Sequence, residues 1–147
     1  MADLDAFAAL VPGDHGLVVV STSRADGTIQ SSVVNAGVMD HPVTGEPVVA
    51  FVAAGAARRL VNLRARPRAT VVIRAGWRWA GVEGPTELIG PDDQYDGFDA
   101  ERIRVLLRDI FAAAGGTHDN WDEYDRVMAD ERRVAVLVTP ERTYGSG

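Results

Sequence analysis

Two adjacent arginines, Arg58 and Arg59, follow the small-residue stretch Ala53-Ala54-Gly55 and stand where a helix is expected to begin. A helix start carries unpaired backbone N–H groups and a partial positive charge, so a phosphate placed there gains amide hydrogen bonds as well as guanidinium contacts. Small residues ahead of it let the backbone approach a ligand closely. Arg64, Arg66 and Arg68 extend the cluster, putting five arginines within eleven residues of a chain whose formal net charge is −6. Spacing alone leaves open a second reading, in which these are solvated surface arginines paired with the abundant Asp and Glu.

Most other chemistries lack their residues. The 147-residue chain has no cysteine and all fifteen of its cationic Lys/Arg side chains are arginine. Disulfides, thiolate nucleophiles, lysine Schiff bases and a Walker-type phosphate loop are therefore excluded. His15, His41 and His118 lie far apart and show no ligand spacing, so they read as loop residues and no metal site is expected. Asp92-Asp93 and Asp96 lack the twelve-residue framework of a calcium loop and read as a solvated loop. The acidic net charge argues against sequence-independent binding to nucleic acid. Trp77 and Trp79 alternate with Arg78, which on a strand points both to one face, toward the core, a dimer interface or a ligand. Trp121 and Tyr124, three apart on an expected helix, read as packing residues.

The elements that must position these groups follow from periodicity. A short helix is expected over Asp3–Val11, broken by Pro12-Gly13-Asp14. Strands are expected over Gly16–Ser23, Thr28–Val38, Glu46–Ala53, Arg68–Arg74, Trp77–Leu88 and Arg133–Thr139, with Ala25-Asp26-Gly27 turning the first hairpin. An amphipathic helix over Ala56–Arg66 separates the third strand from the fourth and ends at Pro67. Two more helices, Asp99–Ala114 and one from an Asp119 or Asn120 cap to about Asp130, precede the last strand, and Thr143-Tyr144-Gly145 reads as a tail. The pattern predicts one α+β domain over residues 1–147, mainly β: six extended segments forming a small, partly closed antiparallel barrel with short flanking helices, its topology left open by the pattern alone. No apolar run is long enough to span a bilayer, and Met1-Ala2-Asp3-Leu4-Asp5 does not read as a signal peptide, so a cytoplasmic protein without membrane partners is expected.

The segment Asn62-Leu63-Arg64-Ala65-Arg66-Pro67-Arg68-Ala69-Thr70 behind Arg58-Arg59, with the hairpin Asp26–Val33, resembles the pyridoxamine 5'-phosphate oxidase-like split barrels, the FMN-binding flavin/deazaflavin oxidoreductases. Trp77–Gly84, Trp121-Asp122-Glu123-Tyr124 with Met128, Asp130–Arg133 and Tyr144-Gly145 are similar to the actinobacterial branch that uses the deazaflavin coenzyme F420. The resemblance runs from Gly16 to Gly145 and rests on the order of its pieces. It departs from the family's pattern at Arg66, where Asp or Asn commonly precedes the proline, and at Ala57, where relatives can carry an extra basic residue.

What the resemblance implies is a six-stranded antiparallel split β-barrel with short flanking helices, and a homodimer with the cofactor between subunits. It implies a phosphate site at Arg58 and Arg59, and ring-side positions at Gln30, Ser32 and Val33 on one strand and Val52 and Ala53 on the next. Trp77 and Trp79 would reach the site from the partner chain. The expected function is a coenzyme F420-dependent reductase passing a hydride to a small conjugated substrate. FMN is the alternative cofactor, and a non-catalytic holder of the cofactor, or of a haem-like planar ligand, is the alternative role. No indispensable acid–base residue is expected, since the chemistry would belong to the cofactor.

Overall fold

The computed structural model describes residues 3–146; Met1 and Ala2 of the expected signal-free start lie outside it. Seven strands, β1 (Leu17–Ser23), β2 (Ile29–Asp40), β3 (Pro47–Ala53), β4 (Arg68–Ala75), β5 (Arg78–Ile89), β6 (Val134–Val138) and β7 (Arg142–Gly145), run in the order β4-β1-β2-β3-β6-β5-β7. A further β4–β5 pairing closes the first six into an antiparallel barrel. The two twelve-residue strands make the closure possible because each serves two half-sheets. β2 pairs β1 through Asn35 and β3 from Ala36 onward. β5 pairs β4 through Pro85, while its other edge meets β7 over Ala80–Glu83 and β6 over Thr86–Ile89.

Alternation explains the two cores. Val18 and Val20 of β1, Val34 and Ala36 of β2, Val49 and Phe51 of β3, and Val71 and Ile73 of β4 point into the barrel. Helix α1 (Asp5–Leu10) adds Phe7 and Leu10 to that interior. On the outer face, Val48 and Ala50 of β3 and Ala135 and Leu137 of β6 pack against α3 (Ala100–Ala113) and α4 (Trp121–Asp130). With both faces covered, β6 reads Val-Ala-Val-Leu-Val and is buried at every position. Close packing of α3 rests on Gly37, where a Cβ would lie 2.2 Å from the Ala113 carbonyl oxygen.

Helix starts obey their caps. The Asp99 carboxylate accepts from the Arg102 N–H at 2.8 Å, and the Asn120 side chain from the Glu123 N–H at 3.1 Å. Two expectations need correction. The presumed tail forms β7, because the edge of β5 beyond the end of β6 offers unpaired backbone groups to Arg142–Gly145. Trp77 is not a strand residue: Ala75 pairs with Arg78, leaving Gly76-Trp77 as a two-residue hairpin loop with glycine at positive φ in first place. Trp77 and Trp79 therefore do not share a strand face.

Candidate functional site

Helix α2 (Arg58–Ala65) begins without a side-chain cap, since Ala57 precedes it in extended conformation. The Ala57 and Leu60 N–H groups bond within the turn, to Ala54 and Ala57 oxygens. Among the described residues, the N–H groups of Arg58 and Arg59 meet no protein acceptor. Gly55 brings this turn against the α4–β6 connection: its N–H donates to the Glu131 oxygen at 3.0 Å, and a Cβ there would lie 2.8 Å from the Arg132 oxygen.

The five clustered arginines divide sharply. Arg64 donates twice to Asp93, at 2.8 and 2.7 Å; Arg66 donates from Nε to the Ser23 carbonyl at 2.8 Å; Arg68 pairs with Glu141 at 2.7 Å. These three tie α2 and β4 to their neighbours. Arg58 is exposed, and Arg59 is half-buried; neither pairs with a carboxylate among the described residues. Arg59 donates only a 3.4 Å bond from Nη1 to Ser32 Oγ, and its Nε is buried with no hydrogen-bond partner. Burial first, and the charge of Arg133 second, lower the Arg59 pKa. Arg133 itself donates from Nε to Glu131 at 2.8 Å. Arg59 is thus a half-buried cation beside a second one, and its unpartnered Nε and the two backbone N–H groups nearby are the donors that could hold an anion.

Asn62 positions this cradle. Its buried Nδ2 donates to Thr22 Oγ1 and to Gln30 Oε1, both at 3.0 Å, pinning α2 to β1 and β2. Sequence reasoning did not single it out, although an Asn on the apolar side of an amphipathic helix, next to Leu63, was the available signal.

The expected ring-side residues do not share one face. Gln30, Ser32 and Ala53 point inward: Gln30 is held by Asn62, Ser32 meets Arg59, and Ala53 is wholly buried in the barrel. Val33 points outward and is 64% exposed. Val52 also points outward, into a 210 Å³ hollow with Asn35, Tyr124, Met128 and Arg133. Trp77 and Trp79 lie apart from the cradle within one chain. Ser32 aligns with Val20 and Val71, whereas Trp79 pairs with Arg74, three residues or about 10 Å further along β4, and Trp77 lies past the end of that strand.

No protein-family profile matches the chain. Solved structures share its fold, three of them as follows. One is a pyridoxamine 5'-phosphate oxidase-related, FMN-binding protein from Nostoc punctiforme, 12% identical with a TM-score of 0.68 over 99% of this chain and 84% of that one. Another is an F420 reductase, 16% identical with a TM-score of 0.60 over 92% and 94%. HutZ, the heme storage protein of Vibrio cholerae, is 11% identical with a TM-score of 0.57 over 97% and 94%. The architecture is thus the split barrel that the sequence resembles. Among these neighbours that fold carries three different ligands, so it does not choose between them.

Proposed function

We propose that this protein is an oxidoreductase that binds a phosphate-bearing flavin-type cofactor, coenzyme F420 in preference to FMN, with the phosphate on Arg58, Arg59 and the start of α2. The observation that carries the reading is Arg59: among the described residues its buried Nε has no partner and its guanidinium meets no carboxylate. Solvated surface arginines do not strand a donor in this way. The groups present fit the phosphate of either cofactor. Bound there, the cofactor would supply hydride chemistry, which needs no nucleophile or acid–base pair from the chain.

The chain's own part is binding and positioning. Free N–H groups of Arg58 and Arg59 and the Arg59 guanidinium would take the anion, and the outer wall at Val33 and Val52 would take the ring system. Gln30 and Ser32 act from inside the barrel, by fixing Asn62 and Arg59. Ala53 would contribute backbone alone. Trp77 and Trp79 belong to this site through a second copy. The outer face of β4, β1 and β2 is apolar and open, with Val33, Val19 and Val72 side by side and Leu17, Trp79 and Tyr144 around them. A homodimer formed across it buries that patch and carries the 97% exposed Trp77 toward the partner.

The substrate in this reading is a small conjugated organic molecule, and the setting is the cytoplasm; no described helix is long and apolar enough to cross a membrane. The test is parallel titration of the apo-protein with F420 and FMN, followed by absorbance and fluorescence. Saturable F420 binding with weaker FMN binding is expected. Saturation by FMN alone would replace the deazaflavin, and saturation by neither would overturn the cofactor reading. A loaded protein that turns over no acceptor would be a holder of the cofactor.

A further inference from the structure

A cavity of about 650 Å³ opens between α3, α4 and the β5–α3 connection, and shares Met128 and Arg133 with the lining of the Val52 hollow. Neither Arg58 nor Arg59 lines it. Its apolar walls are Pro91, Phe98, Ile103, Leu107 and Met128. Phe98 is held from two sides, by the edge of Tyr95 with centroids 5.5 Å apart and by the Arg102 guanidinium 4.0 Å above the ring. The wall is therefore fixed before any ligand arrives.

The charges around the cavity are already matched. Arg104 pairs with Glu101 and, at 3.1 Å, with Asp125. Arg132 pairs with Asp92 and Arg133 with Glu131. Asp125 also accepts from Arg108 Nε at 2.9 Å. A charged ligand would find these side chains already neutralised and gain little from them over water, whereas an uncharged one still gains the apolar walls. The Gln94 side chain lines the cavity from a solvent-exposed position and bonds to no other described residue, so its amide can exchange water for one polar group of a ligand. The volume lies within the roughly 300–1,000 Å³ of small-molecule sites.

From this lining and charge balance we infer that the α3–α4 cavity is a second binding site, distinct from the anion cradle, for an uncharged and mostly apolar small molecule with one polar group. The test uses the apo-protein and a neutral solvatochromic naphthalene ketone, 6-propionyl-2-(dimethylamino)naphthalene, with a sulfonated naphthalene as its charged counterpart. The neutral probe should bind saturably at one site per chain, with blue-shifted emission, and about tenfold or more tighter than the sulfonated one. Ala129→Trp and Ala100→Phe each place a bulky side chain in the cavity from an exposed position, and each should weaken the neutral probe by about tenfold or more. Arg59→Ala should change it by less than about twofold. Circular dichroism and melting check each fold, so that one plugged variant suffices if the other fails. Unsaturable binding, a folded plugged variant that binds as the parent does, tighter binding of the sulfonated probe, or loss of binding in Arg59→Ala would overturn the inference. The last of these would move the probe to the cofactor cradle, whose own titration is independent.

Discussion

At the level of single residues, two arginines of one cluster should answer opposite questions. Arg59→Ala should weaken F420 or FMN binding by roughly ten- to a hundredfold, since a charge-assisted bond to phosphate is worth about 1.5–3 kcal/mol. The apo-protein should melt within about 2 °C of the parent, because the side chain removed has one long hydrogen bond, an orphaned Nε and a like charge beside it. Arg64→Ala should reverse the pattern. It breaks a two-point pair with Asp93, whose side chain is only 12% exposed, and should cost about 1 kcal/mol of stability with little effect on the cofactor. Titration calorimetry and thermal melting on both variants check the contrast. Residue types and spacing made the cluster visible, but not its division. Arg64 finds Asp93 and Arg68 finds Glu141 only after the chain has folded back over 29 and 73 residues. The same holds for Gln30, which alternation turns inward toward Asn62.

Among the elements, α3 and α4 are the most exposed to test. Gly37→Ala should destabilise by about 1–3 kcal/mol in urea melts, because the added methyl meets the Ala113 carbonyl and must push α3 off β2. Tyr124, on α4, donates its hydroxyl to the Leu107 carbonyl at 3.0 Å, and burial raises its pKa from 10.0 to about 12. Between those values the unfolded chain has released this proton and the folded chain has kept it. Its contribution to stability is therefore full below pH 10 and falls as pH rises toward 12. Tyr124→Phe should be less stable than the parent at pH 8 and should lose less stability between pH 10 and 12. Tyrosinate absorbance should show Tyr124 ionising above the usual range. The helices and strands themselves were legible, because period 3.6 over Ile103–Phe111 and period 2 over β1 are strong signals. β7 was not, since four residues ending in glycine carry no period, and only the free edge of β5 makes them a strand. Trp77 fell on the wrong side of a boundary that the Gly76 loop sets.

For the molecule as a whole, the open β4-β1-β2 face is where the proposed homodimer can be tested. Val19→Asp with Val33→Asp puts carboxylates side by side in the patch, since the two residues are register partners. Light scattering should give a dimer for the parent and a monomer of unchanged circular dichroism for the double variant; a parent of monomer mass would sink the dimer. Barrel class could be read from six extended segments and their turns, but this face could not, because Leu17, Val19 and Val33 alternate as core valines do. The α3–α4 cavity was equally hidden, being assembled from residues 90–107 and 125–133. The place of β6 also orders events during synthesis. It lies between β3 and β5, yet its synthesis begins only about 45 residues after β5 is complete. At roughly 5–20 residues per second the nascent chain spends about 2–9 s with two apolar strand edges facing each other across a missing partner. Soluble yield should therefore respond more to a chaperone that shields strand edges on the growing chain than to one that acts after release.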